Sequence, residues 1–315
     1  MTVVEQVARR THRARRITPS APPAGRRWAR RLPLLPALIY MIVITQIPFI
    51  VTLWYSLQNW NLTSNAKAKF TGLSNYASVF TNANYRSSLL VSVEMTAVAV
   101  IVSMLLAVAL ALLLNQKVLG RGFARTLLIT PFLIMPVASA LLWKTTMLDP
   151  TYGLVNWLLS PFGVHHVAWL SSHPLGSIIV VLIWRWTPFM TLIVLAGLQG
   201  QPLDVLEAAR VDGAGAFVIF RRMIFPHLRP YIELGTLLGS IYIVNTFDEV
   251  YSMTQGGPGT STTNMPYYLY EQAFQAYNIG GAAALGVITV IIVMIIASFA
   301  LRLIASVFRF EEAVG

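Results

Sequence analysis

The stretch Gln201-Pro-Leu-Asp-Val-Leu-Glu-Ala-Ala-Arg-Val-Asp-Gly-Ala-Gly-Ala-Phe-Val-Ile-Phe-Arg-Arg-Met-Ile-Phe-Pro226 interrupts a chain that is otherwise strongly apolar. Pro202 suits a first helical position, because the N–H it lacks would be unpaired there anyway. Val205, Leu206, Ala208 and Ala209 continue a helix with small and apolar side chains. Gly213, directly after Asp212, stops it, since glycine enters the left-handed conformation without a Cβ clash. Beyond the stop, Phe217 and Phe220 can face one way while Arg221 and Arg222 face another, and Pro226 ends the piece. The pattern predicts a short helix, a glycine turn and a second, amphipathic helix. Two uses fit it: a hairpin lying on a lipid surface, or a small-faced helix docking onto a soluble partner.

Outward from this stretch, composition narrows the choice. Of 315 residues, 56% are hydrophobic and 11% charged, against about 25% charged in a soluble domain. That excess cannot be hidden in one water-soluble core, which excludes an ordinary cytosolic enzyme. Crossing a bilayer takes about 20 apolar residues, and six segments qualify: 32–57, 89–114, 125–146, 176–200, 231–254 and 282–301. The first is too long for the apolar part of a cleaved signal, which runs about 7–15 residues, and Trp54, Tyr55 and Trp60 mark its interfacial end. Cysteine is absent, which removes disulfides, cysteine-ligated metals and cysteine nucleophiles. The expected fold is all-α and polytopic, with 201–229 as the long loop between spans 4 and 5.

Basic residues set the orientation. Nine arginines from Arg9 to Arg31 precede span 1. Lys117, Arg121 and Arg125, then Arg210, Arg221, Arg222 and Arg229, then Arg302 and Arg309 lie on the same side. The other side has Lys67, Lys69 and Arg86. Both termini and the 201–229 loop are therefore expected in the cytoplasm. The division is a basic, disordered tail over 1–31, a first span over 32–57, an external loop over 58–88, a core over 89–308 and a tail over 309–315. The net charge of +11 follows from this topology; neither motif nor aromatic pattern supports nucleic-acid binding, and the tail suits anionic lipid.

Ionisable residues inside spans are costly and usually face protein or water. Glu94, Lys144, Arg185, Asp248 and Glu249 all fall toward the outer ends of their spans. On an ideal helix, Tyr242, Asn245, Asp248, Glu249, Ser252 and Gln255 fall within an arc of roughly 140°. Carboxylates and amides there suit vicinal hydroxyls, and Tyr242 offers a ring to a sugar's C–H face. A purely structural use is open as well, with Asp248 or Glu249 pairing with Arg185 to hold the bundle. His165, His166 and His173 have no acidic neighbours to complete a metal site, and none is expected. Trp157, Trp169, Trp184 and Trp186 mark an outer interface, and the 255–281 loop, without Lys or Arg, suits a turn at an outer mouth.

Glu207-Ala208-Ala209, Gly213 and the closing Met223-Ile224-Phe225-Pro226 resemble the EAA loop of binding-protein-dependent ABC importer permeases. Met223 and Phe225 stand where that pattern has Ile and Leu, and both stay apolar. Thr254-Gln-Gly256-Gly257-Pro258 and Trp184-Arg-Trp-Thr-Pro-Phe189 resemble stretches of the carbohydrate-uptake branch, of the maltose and glycerol-phosphate type. Together these cover about residues 88–308, and the C-terminal third most resembles mannitol/sorbitol permeases.

The resemblance implies the type I ABC importer permease fold in a bacterial cell membrane. It implies coupling to an ATPase through Glu207, Ala208, Ala209, Asp212, Gly213 and Pro226. A solute path would use Tyr242, Asn245, Asp248, Glu249, Ser252, Arg185 and Glu94, with Gly256, Gly257 and Pro258 at the external mouth. Implied partners are a second homologous permease, an ATP-binding subunit dimer and an extracytoplasmic solute-binding protein. No phosphate-binding Gly-x-x-x-x-Gly-Lys-Ser/Thr run occurs, so ATP and Mg would sit on the partner ATPase and this chain would bind no cofactor. The alternatives are a permease for amino acids or peptides, which shares the EAA loop; a polytopic membrane enzyme, for which no catalytic cluster is evident; and a simple channel, which has no use for that loop.

Overall fold

A computed structural model describes residues 32–64, 67–116 and 120–312. The basic tail expected to be disordered and residues 313–315 lie outside them.

The chain divides into two units after Val51. The first contains most of α1 (Leu35–Ser56), in which only Ser56 is buried. A helix apolar all round belongs in an apolar surrounding. The second unit opens with a two-stranded antiparallel ribbon, β1 (Gln58–Asn59) and β2 (Lys69–Phe70), and with α2 (Ser74–Thr81). Then comes α3 (Ala83–Asn115), started by Asn82, whose side-chain oxygen accepts from the backbone N–H of Asn84 and Tyr85. That is the usual way to satisfy otherwise unpaired N–H groups at a helix start.

Span 3 departs from expectation. It is two helices, α4 (Arg121–Leu133) and α5 (Pro136–Leu142), bent by 99°, with a π-helical turn over Trp143–Met147 closing the second. The cause is local. Pro136 pushes the residue before it out of the helical region, and Met135 has φ −54° and ψ 139°.

The short α6 (Leu154–Leu159) leads to α7 (Pro174–Gln199). The hairpin region holds α8 (Leu203–Val211) and α9 (Ala216–Ile219), and α10 (Phe225–Val244) follows. The chain ends through α11 (Asp248–Met253), α12 (Met265–Tyr270) and α13 (Ile279–Glu312). The backbone of 309–312 continues α13, so the helix runs into the segment expected to be a tail.

The centre of the second unit is the mutual packing of α3, α7 and α10. On α3, Ser92, Thr96, Ala99, Ser103, Ala107 and Ala111 recur every three or four residues and are all buried. Small side chains let helix backbones approach where lipid supplies no hydrophobic drive. Ile178, Leu182, Met190 and Val194 of α7 belong to the same core as this stripe. Glycine does similar work elsewhere: a Cβ on Gly197 of α7 would lie 2.5 Å from the Tyr231 ring of α10.

Among the described residues, α1, α3 and α7 are long and apolar enough to cross a membrane, and the bent α4–α5 pair counts as a fourth crossing. α13 is apolar over Ile279–Ile295. α10, at 20 residues, has the length of a span, but its first half is polar and carries His227, Arg229 and Glu233, the last two joined at 3.0 Å. The protein is an all-α polytopic membrane protein.

Candidate functional site

The decisive local feature is the break in span 5. α10 stops at Val244, and α11 begins only at Asp248. Three polar contacts stabilise the break. Asn245 Nδ2 donates to Ile241 O at 2.7 Å, satisfying a carbonyl that the helix end leaves open. Asn264 Nδ2 donates to Thr246 O at 2.5 Å. The Asn264 side-chain oxygen accepts from Tyr267 N at 3.1 Å and so also caps α12. Asn264 is fully buried. The continuous helix assumed for the arc from Tyr242 to Gln255 therefore does not exist: five of the six residues are placed by two helices and a three-residue link, and Gln255 lies in the turn beyond α11 with φ +51°.

The structure still unites several of them. Arg185 Nη1 donates to Glu249 Oε1 in a buried ion pair, the side chains 13% and 2% exposed. The Arg185 guanidinium lies 5.6 Å from the Trp186 ring centre, within reach of cation–π attraction. Trp186 stacks on Tyr242 at 5.3 Å and 18°, with Phe132 and Phe189 packed around them. Lys144 Nζ donates to Ser252 O at 3.0 Å and ties the end of α5 to α11. Tyr242 and Asn245 are exposed, Asp248 and Ser252 half-buried. The Asp248 side chain makes no hydrogen bond or ion pair among the described residues.

Two expected groups lie apart from this cluster. Glu94 is exposed on the outward face of α3, beside Val93 and Val98, not among these groups. It sits opposite the buried stripe because Met95 and Thr96 take the inward positions. The Gly-Gly-Pro stretch is not simply a solvated mouth. Gly256 is buried, with φ +79°, and a Cβ there would meet Thr263 Oγ1 at 2.5 Å. Gly257 is half-buried and Pro258 exposed. Thr262 donates to Gly257 O and shares a 2.8 Å hydroxyl contact with Thr254, while Thr263 donates to Gly256 O. Only the tip over 258–261 faces outward, and the base of the loop is built into the bundle.

An aromatic cluster that composition and motifs do not announce lies next to the break. Phe247, Tyr251, Tyr267, Tyr270 and Phe274 contact one another, with centroids 5.3 to 6.3 Å apart. The i, i+4 spacing of Phe247 and Tyr251 and of Tyr270 and Phe274 was the available signal. Glu271 beside it is partly buried, and that burial raises its carboxyl above the ordinary range.

The hairpin lies at the far end of α10, about 30 Å of helix away at 1.5 Å per residue. α8 forms as expected, with Pro202 one position earlier than expected, as its N-terminal flank. Gly213 has φ +81°. Gly213 N donates to Arg210 O at 3.1 Å and Ala214 N to Ala209 O at 3.0 Å, closing the helix end as left-handed caps do. Glu207, Ala208, Asp212 and Gly213 are exposed, and Ala209 is buried. Beyond the turn, the expected second helix is one turn, α9, followed by a π-helical turn over Phe220–Ile224 that runs directly into α10. Pro226 opens α10 instead of ending a helix. Its missing N–H falls where the π-helical turn already changes the hydrogen-bond ladder, Phe225 N donating to Phe220 O. Val205, Val211 and Phe217 are exposed on the hairpin, 49%, 86% and 72%, an apolar surface left uncovered by the described residues.

Comparison with known proteins gives these features a family. Residues 117–309 match the model for the binding-protein-dependent transport system inner membrane component. The trehalose/maltose transport system permease protein MalF of Thermococcus litoralis is 35% identical over 269 residues, 84% of this chain and 89% of that one. The trehalose transport system permease protein SugA of Mycobacterium tuberculosis is 32% identical over 280 residues, 89% of each chain. A crystal structure of a bacterial ABC transporter involved in the import of the acidic polysaccharide alginate superposes with TM-score 0.74, at 21% identity, over 90% of this chain and 96% of that one, which shows a shared fold. With its glycine-turned hairpin, its broken spans and this match, the chain belongs to the family of inner-membrane components of binding-protein-dependent transport systems.

Proposed function

We propose that this chain is the permease subunit of an ATP-driven importer of sugars or sugar alcohols, and that its solute path runs along the break in span 5. The observation that carries this is the placement of Arg185, Glu249, Trp186 and Tyr242 around that break. A break inside a span frees backbone groups and opens space where irregular structure lines a cavity. Arg185 Nε and the indole N–H groups of Trp143 and Trp186 are buried donors without a partner among the described residues. Hydroxyl oxygens of a polyol can accept from them, Asp248 can accept in return, and the exposed Tyr242 ring can cover a C–H face. Relatives named for trehalose and maltose support the same solute class.

Binding tests this directly. With the purified complex, Asn245→Ala and Asp248→Ala should each weaken maltose or mannitol affinity about tenfold, the worth of one hydrogen bond of about 1.4 kcal/mol. Unchanged affinity and uptake in both variants would remove the path from this place.

In this proposal the chain does no chemistry. A separate ATPase dimer holds ATP and Mg, a second permease completes the path, and an extracytoplasmic binding protein delivers solute. The exposed apolar hairpin around Glu207, Ala208 and Gly213 is the surface offered to the ATPase. Charge asymmetry then puts the hairpin and both termini in the cytoplasm and the 255–281 loop outside. A periplasm-dependent reporter fused at Met265 should be active, and one fused at Gly213 silent. The reverse pattern would overturn the orientation.

A further inference from the structure

A cavity of about 580 Å³ lies in the connection between α5 and α7, away from the break in span 5. It falls within the usual range of about 300–1,000 Å³ for small-molecule sites. Tyr152, Trp157, Thr151, Ser160, His165 and His166 contribute to its lining, and no Asp, Glu, Lys or Arg does. We propose that this cavity is a second carbohydrate site, taking a neutral sugar outside the central path. The proposal rests on the importer function above for its ligand class.

The frame is rigid. Asn156, 6% exposed, shares its two Nδ2 hydrogens among the carbonyls of Asp149, Pro150 and Val167 at 3.1, 3.3 and 3.1 Å. Its Oδ1 accepts from Val167 N at 3.3 Å and Trp169 Nε1 at 3.1 Å. Asp149 Oδ1 accepts from the N–H groups of Thr151 and Tyr152. His166 has φ +53°, a conformation that costs a non-glycine residue energy and persists where its surroundings hold it. Its Nδ1 lies 3.2 Å from Pro150 O. A carbonyl only accepts, so Nδ1 carries the hydrogen and Nε2 of the neutral ring remains an acceptor.

Held in this frame, Tyr152 and Trp157 stay 73% and 68% exposed. Fixed aromatic faces beside hydroxyls and imidazoles, with no charge, match a sugar's alternation of C–H faces and hydroxyl edges. A charged solute would find no counter-ion in the lining.

The test uses the complete transporter in lipid nanodiscs without its binding protein. Saturation-transfer NMR with maltose and with trehalose reads contact. Tyr152→Ala and Trp157→Ala should each cut the signal at least threefold, and in vesicles the maltose concentration for half-maximal uptake should rise several-fold. Asp248→Ala, in the central path, should leave an NMR signal that Trp157→Ala abolishes in the double variant. A transporter that imports sugar with signal and half-saturation unchanged in both aromatic variants defeats the cavity alone. Outer-site signal without sugar uptake by the wild type counts against the importer function and supports the cavity. Comparison of wild type with Trp157→Phe covers the remaining use of the ring. Quenching of Trp157 by brominated lipid as complete as for a span tryptophan would place it in the bilayer and overturn the proposal.

Discussion

Glu249→Gln should cost the transporter most of its uptake and several degrees of thermal stability. The substitution keeps the size of the side chain and removes its charge, leaving the guanidinium of Arg185 buried without a counter-ion. Removing one member of a buried pair typically costs about 3–5 kcal/mol, since the remaining charge stays desolvated. The Arg185 side chain is 13% exposed, so water compensates only in part. The pair also ties α7 to α11 across the break, where the helix of α10 no longer continues. Its loss should therefore loosen α11 before it loosens the α3–α7–α10 core. Thermal unfolding in detergent and uptake in vesicles are the two measurements.

Arg185→Met with Glu249→Met separates glue from path. Replacing a buried pair by apolar residues of similar volume is often neutral or stabilising, so the melting temperature should return toward wild type. Uptake should not return, because the freed Arg185 donor and the charge beside Tyr242 are gone. Full recovery of both in the double variant would reduce the pair to a structural brace. Wild-type melting and uptake in Glu249→Gln would mean that the break is held without it.

The sequence made some of this legible and hid the rest for identifiable reasons. Pairing of Arg185 with Glu249 was one of two open alternatives, because two charges in neighbouring spans rarely stay apart in an apolar medium. The left-handed turn at Gly213 was legible because only glycine makes it cheaply. The break at Asn245 was not, because its cause is distant: Asn264, reaching Thr246 from 18 positions along the chain. A helical arc computed from spacing assumes continuity, and a tertiary contact removed it. Pro136 carried a usable signal for the bend in span 3, but an apolar run on both sides masked it. Glu94 shows the same limit. Periodicity places a residue on a face, and it takes the packing of Met95 and Thr96 to say which face is inside.

Gly213→Asp is expected to uncouple transport from ATP hydrolysis, lowering uptake at least tenfold in a transporter that still folds. The folding half of the expectation comes from space. A Cβ on Gly213 would have nothing within 4 Å, and the residue is exposed, so no clash arises. The functional half comes from the backbone. At φ +81° an L-residue costs up to about 1–2 kcal/mol, less for Asp than for Ala, which biases the turn toward other conformations and pulls on the Ala214 N to Ala209 O bond that closes α8. α8 carries Glu207 and Ala208, so its exit angle decides how those residues meet a partner. The new carboxylate also sits next to Asp212, on the apolar surface of Val211 and Phe217. Gly213→Ala separates the two effects, since it keeps the backbone strain without the charge, and an intermediate loss is expected from it. ATP hydrolysis and uptake, measured together in vesicles, should show hydrolysis continuing while uptake falls. Full uptake in Gly213→Asp would show that neither the exit angle of α8 nor the charge of its turn matters to coupling.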